Sequence, residues 1–225
     1  MKVARLTVQN FRSINRAEFH FAGHTLLIGR NNVGKSTVCE ALELALGPER
    51  LRRIPPVDEY DFHNANYLDE DGAAVPIKIE VVLTDLSPEI LRVCANNLEH
   101  WKKDDLRLLD RGEIGLVDAD GVQPCLRLLT IATYDPDEDS FEAKTFYAHS
   151  PDTPEGELKA LPYKVKRAFG FIYLRTVRTG SRALSLEHGS LLDVILRMKE
   201  ARMKLWEKTR KRLRDLDPQL EPDRR

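Results

Sequence analysis

Polar and apolar residues alternate from Val3 to Val8, the two-residue period of a strand with one buried face. Arg16 to Phe21 (RAEFHF) alternates as well, with Ala17, Phe19 and Phe21 on one side. Asn10 to Asn15 supplies a connection, so the two stretches predict an antiparallel pair. His24 to Ile28 (HTLLI) is a short apolar strand leading into Gly29. From Lys35 the period becomes helical. Val38, Ala41, Leu42 and Ala45 share a face, and Gly47-Pro48 ends the helix at Leu46. Leu51 to Tyr67 carries Pro55-Pro56 and the acids Asp58, Glu59 and Asp61, and reads as an ordered loop with one helical turn.

The middle of the chain returns to strands. Asp69 to Gly72 is a turn, and Pro76 to Leu83 is a strand. Ser87-Pro88-Glu89 starts a helix, with Ser as cap and Pro in the first turn, which is expected to run to about Lys102. Ile114–Val117, Pro124–Tyr134 and Phe141–Tyr147 read as strands joined by acidic turns around Asp118–Gly121 and Asp135–Ser140, an antiparallel arrangement. Pro151 to Pro162 is a polar loop, and Ala168 to Val177 holds an apolar run (FGFIYL) suited to a buried strand. Ser190 to about Leu216 is expected to be one long helix. Leu191, Ile195, Met198, Leu205 and Leu213 form its seam, interrupted by Arg202 and Thr209. The expected division is residues 1–187 as one module and 188–225 as a helical arm with a frayed tail.

Composition narrows the class. The chain has 225 residues, 42% hydrophobic and 32% charged, with a net charge of −1, so no global basic field advertises nucleic acid or an anionic membrane. No run approaches the roughly 18 apolar residues of a membrane span, and MKVARLTVQNF lacks the apolar core of a signal peptide. Cys39, Cys94 and Cys125 have no C-x-x-C spacing and suit small buried or half-buried thiols in a reducing cytoplasm.

The chemistry concentrates at Gly29-Arg30-Asn31-Asn32-Val33-Gly34-Lys35-Ser36-Thr37, a full match to G-x-x-x-x-G-K-[ST]. The glycines let the backbone fold into a nest of N–H donors around phosphates. Lys35 brings a point charge to the β- and γ-phosphates and is the expected catalytic residue. Ser36 offers a hydroxyl to Mg2+. The helix starting near Lys35 aims its positive end at the anion. ATP with magnesium is the expected ligand.

The order of elements separates two kinds of P-loop protein. Small-molecule kinases open directly with the P-loop strand and continue as alternating strand–helix units. Here a strand pair comes first and antiparallel signals follow, which favours an ABC-type ATPase head, an α/β fold with an antiparallel β layer. LTVQNFRS (Leu6–Ser13) followed by LLIGRNNVGKST resembles the opening of the SMC/RecF group of ABC-type ATPases. GRNNVGKSTVCEALELALGP, PPVDEYDFHNANYL and YLRTVRTGSRALSLEHGSLLDVIL resemble one branch, the OLD (overcoming lysogenisation defect) family of ATP-dependent nucleases, over Met1 to about Leu213. The resemblance implies two heads sandwiching ATP, a C-terminal Toprim nuclease domain, and work on DNA in repair or phage defence.

Departures qualify it. No signature loop, Walker B acid pair or switch histidine follows Ser190, so the chain resembles the N-terminal half of a head and the start of its dimerisation arm. It is expected to bind nucleotide, to hydrolyse it poorly alone, and to work as a homodimer or with the missing half. The region of the Q-loop, Tyr173 to Arg178, offers Arg175 and Arg178 but no Gln. Those arginines either reach phosphate or DNA, or flank a strand at the surface. Arg12 and Ser13 either approach the nucleotide or form a strand-connecting turn. The basic residues between Arg197 and Arg214 either contact DNA phosphates or form a solvated helix face. A nucleotide-dependent dimerisation or regulatory module is the alternative function. Asp135, Asp137 and Asp139 open like a calcium loop, but Ser140 and Phe146 stand where Gly and Glu are needed, leaving a hairpin turn. The six histidines show no zinc spacing, and His20 reads as a strand-surface residue.

Overall fold

The alternation of Leu6, Val8 and the residues around them is that of a strand with one face on a core. In the computed structural model these residues lie in β1 (Lys2–Phe11), buried at Ala4, Leu6, Val8 and Phe11. The structure describes residues 1–173 except Asn32, Glu49, Arg111, Gly112, Ile114, residues 116–119 and Glu155. β1 turns through Arg12-Ser13 into β2 (Ile14–His20), and the two pair antiparallel with Leu6 opposite Phe19 and Val8 opposite Ala17. His20 is exposed on β2, as expected.

Helix α1 (Lys35–Leu46) follows the phosphate-loop sequence. Strand β3 (Ile77–Thr84) then pairs with the other edge of β1. Helix α2 (Pro88–Val93) begins where Ser87 accepts a hydrogen bond from the Ile90 N–H. Next come β4 (Leu98–Lys102), β5 (Arg107–Leu108), β6 (Val122–Asp135), β7 (Ser140–Tyr147) and α3 (Tyr163–Ala168). The described strands make one antiparallel sheet ordered β2-β1-β3-β6-β4-β5, with β7 also on β6. β6 is long enough to serve three neighbours. Its Leu126–Ala132 pairs β3 on one edge, while Val122–Leu126 pairs β4 and Leu128–Asp135 pairs β7 on the other.

Helix α1 supplies the lid of the main core. Val38, Ala41, Leu44, Ala45 and Leu46 join Leu6, Val8, Ile77, Ile79, Val81, Leu83, Leu126 and Leu128 in one buried cluster. A second, smaller cluster of Ala4, Val82, Trp101 and Cys125 lies apart from it. Beside it an ion ladder crosses the strands. Arg5 pairs with Glu80 at 2.8 Å, and Arg127 bridges Glu80 at 3.4 Å and Glu99 at 2.8 Å. Val82 and Glu80 alternate along β3 with Val81 and Ile79, so the sheet carries an apolar face under α1 and a mixed face opposite.

Three expectations need correction. His24–Ile28 belongs to no strand, because among the described residues no neighbouring backbone pairs with it. The α2 helix does not reach Lys102. Asn97 is buried and donates to the His149 carbonyl at 2.8 Å, and Leu98–Lys102 becomes β4, with Trp101 buried opposite Gln123. Ala168–Tyr173 adds no strand, since Phe169 folds back from the end of α3, an element the sequence pattern did not predict, and packs into the main core. The expected strand at Ile114–Val117 falls largely outside the described residues. So do Leu174–Val177, Arg175, Arg178, and the long helix with its basic stretch 197–214. The Asp135–Ser140 turn is a hairpin turn, with Asp135 accepting from the Asp137 N–H at 3.0 Å and Asp139 from the Tyr134 hydroxyl at 2.7 Å.

Candidate nucleotide site

The loop of residues 29–37 leads into a helix whose start is open. Gly34 precedes α1 in the left-handed region at φ 91°, and no side chain caps the helix or places an acid in its first turn. Among the described residues no side-chain cap therefore occupies the first N–H groups of α1 at the positive end of its dipole. The left-handed backbone at Gly34 strains any other side chain, and a Cβ there would sit 3.1 Å from the Ser13 hydroxyl, close enough that Ser13 would have to shift. Lys35 Nζ donates to the Gly29 carbonyl at 2.9 Å, which closes the loop on itself. Arg30, Asn31 and Ser36 are exposed, and Thr37 is buried. Asn32 lies outside the described residues. The donor set fits a phosphate chain with its metal: orphan amides, a lysine ammonium and an exposed Ser36 hydroxyl at one helix end.

The turn between β1 and β2 locks onto this loop. Ser13 Oγ lies 2.9 Å from Thr37 Oγ1. Arg12 itself takes a left-handed φ of 50°. Its Nε donates to Asp61 at 2.8 Å, and its Nη1 pairs with Glu40 on α1. Asp61 is 2% exposed and also accepts from Arg50 at 2.9 Å. Burial pulls the Arg12 guanidinium downward, but the hydrogen bond and charge of Asp61, with Glu40 and Asp58, outweigh it and raise its pKa. His63 Nδ1 donates to the Arg12 carbonyl at 2.7 Å, and the Arg12 N–H donates to the Asp61 carbonyl at 2.8 Å.

Of the expected site residues, Ser13 thus reaches the loop directly, while Arg12 is held by acids beside it. Arg12, Asp58, Tyr60, Asp61, Phe62, Asn64 and Ala65 line an open cleft of about 540 Å³. Its floor includes two successive left-handed residues, Asn64 at φ 55° and Ala65 at φ 54°, the second costing about 1 kcal/mol for want of glycine. Sequence reading did not single out Asp61 as the hub or Glu40 as its companion. The available signal was Asp58-x-x-Asp61, the spacing of a capping box, and the structure forms that box around a 3-10 turn, Glu59–Asp61. Around the loop, apolar side chains stand in the open: Leu26 is 80% exposed and Ile28 85%. Among the described residues no group of His, Cys, Asp and Glu could hold a metal ion by itself. No described helix is long and apolar enough to cross a membrane.

The glycine-lysine loop opening onto the start of α1 supplies the phosphate-binding elements of a P-loop ATPase. Residues 1–169 match the family model described as an AAA ATPase domain, and the chain belongs to that family. Membership implies ATP binding. Among solved structures, one reported under the subject of ATP-driven dimerisation and DNA-stimulated activation of SMC ATPases aligns with 86% of this chain and 90% of its own, at 10% identity and a TM-score of 0.40. A comparison with curated proteins finds no match.

Proposed function

We propose that this chain binds ATP with Mg2+ through residues 29–37. The supporting observation is the uncapped start of α1 behind a left-handed Gly34, with Lys35 at hand. Lys35 exchanges its loop carbonyls for the β- and γ-phosphates, and Ser36 holds the metal. Magnesium offsets phosphate charge and orients the terminal phosphate. Backbone amides of the loop surround the phosphates, and Arg12, held by Asp61 and Glu40 beside the Ser13–Thr37 contact, is the further residue that approaches the nucleotide.

At the level of the whole protein, the reading is an ATPase portion of an OLD-like, DNA-directed ATPase/endonuclease. It is supported by the DEYDFHNANYL loop, which builds the Asp61 clamp around the NFRS turn. Exposed Leu26, Ile28 and Val33 beside the loop favour a second reading, a module whose assembly responds to nucleotide. Sedimentation with and without Mg-ATP, with phosphate release followed alongside, separates them: association on Mg-ATP without turnover supports the assembly module, binding with neither a change of mass nor turnover supports an ATPase portion that needs the rest of its head, and appreciable turnover by the chain alone contradicts that portion reading. Titration of the chain with Mg-ATP tests the binding itself. Saturable binding lost in Lys35→Ala is the expected result, and equal binding by both proteins contradicts it.

A further inference from the structure

Lys166 on α3 is 3% exposed, and among the described residues no carboxylate pairs with it. Its Nζ lies 3.0 Å from the Leu44 carbonyl and 3.0 Å from Thr145 Oγ1. Thr145 Oγ1 in turn lies 2.9 Å from Thr130 Oγ1. In its charged form the lysine only donates, so the Thr145 oxygen accepts from Nζ, while either threonine hydroxyl can donate in the Thr145–Thr130 contact. Leu44 belongs to the last turn of α1, whose carbonyls have no partner inside the helix. The Gly47 N–H takes the Glu43 carbonyl, and Lys166 takes the next one. A cation at that end also complements the helix dipole. Burial holds the lysine pKa down to about 7, so its charge state changes near neutrality.

We propose that Lys166 is a positioning residue for the nucleotide loop: it anchors the C-terminal turn of α1 to the Thr145–Thr130 pair of β7 and β6, and thereby fixes the opposite end of the helix, where Gly34 to Thr37 sit. A 12-residue helix is a stiff rod of about 18 Å, so slack at one end is carried to the other. The inference rests on the nucleotide reading above. The ionisable groups on the elements around Lys166 are Lys35, Cys39, Glu40 and Glu43 on α1, Glu142 and Lys144 on β7, the buried Cys94–Tyr147 pair, exposed Glu89 and Arg92 on α2, and Tyr163, Lys164 and Arg167 on α3 itself.

The test is Mg-ATP titration of the wild-type chain, Lys166→Met and Thr145→Val from pH 6 to 9, with circular dichroism to confirm folding. Lys166→Met should weaken binding roughly three- to tenfold. Thr145→Val, which keeps the amine on Leu44, should weaken it about twofold. A charged donor holds a carbonyl more strongly than a neutral one, so the wild-type advantage over Lys166→Met should be larger at pH 6 than at pH 9. A folded Lys166→Met with wild-type affinity at every pH overturns the anchor and leaves the nucleotide reading standing. If Lys166→Met does not fold, unchanged affinity in Thr145→Val overturns it. A wild-type chain that binds no Mg-ATP removes the nucleotide reading and this inference with it.

Discussion

Two apolar stretches of similar chemistry, β3 and residues 24–28, end in opposite surroundings. β3 has β1 on one edge, β6 on the other and α1 over one face, and its Ile77, Ile79, Val81 and Leu83 are fully buried. Residues 24–28 have no paired neighbour among the described residues. Only Leu27 is packed against the core, while Leu26 and Ile28 point into the open. Residue type alone therefore does not make core. A run becomes core when the topology supplies partners on its edges and a cover for its face. The open run lies where the chain enters the phosphate loop, which is where an exposed apolar patch carries functional weight.

Substitutions sharpen the contrast. The largest loss is expected in the paired region: Leu128→Ala, fully buried where β6 meets β3 and β7, should lower unfolding stability by about 3–4 kcal/mol in urea. Breaking the clamp comes close behind. Asp61→Ala strands Arg12 and Arg50 without their buried carboxylate, at a cost of about 3 kcal/mol in the same measurement. A near-zero change would mean that the clamp contributes little to the fold.

A pH effect is next. The unfolded chain holds the Lys166 proton up to its ordinary value near 10.5, whereas the folded chain releases it near 7. Between those values the unfolded state binds more protons, so this group makes stability rise with pH across that window and fall as pH drops toward 7. Thermal unfolding of Lys166→Met should lack that rise. The smallest effect is expected in the open stretch: Leu26→Ser should stay within about 0.5 kcal/mol of wild type. A loss as large as that of Leu128→Ala would show that residues 24–28 are packed after all.

The same contrast explains what could be read in advance. Strands β1, β2, β3, β6 and β7 and helix α1 follow from local periodicity, because each puts one regular face on a shared core. The phosphate loop is legible because its glycines, lysine and serine are demanded by ligand chemistry at fixed spacing. Leu98–Lys102 was misread because its fate is set by pairing with β6, some 25 residues away, rather than by its own pattern. The 24–28 run was misread because an apolar composition reports a tendency to pair and cannot report whether a partner is present. The Arg12–Asp61–Glu40 clamp was hidden for a related reason. It joins three separate segments, and a charged residue looks alike in sequence whether it ends in solvent or in a buried ion pair. Lys166 is the sharpest case, since a lysine in YKVKRA reads as surface and is instead held by a carbonyl and a hydroxyl in the interior.

The central claim is that residues 29–37 form a nucleotide site at the open end of α1. Isothermal titration of the chain with ATP, with and without Mg2+, measures it most directly, with Lys35→Ala as the comparison and urea unfolding to show that the variant keeps its stability. The account predicts saturable, magnesium-dependent binding by the wild type, and at least tenfold weaker binding by a variant whose stability stays within about 0.5 kcal/mol. Wild-type binding that is absent, or that survives Lys35→Ala unchanged, contradicts it.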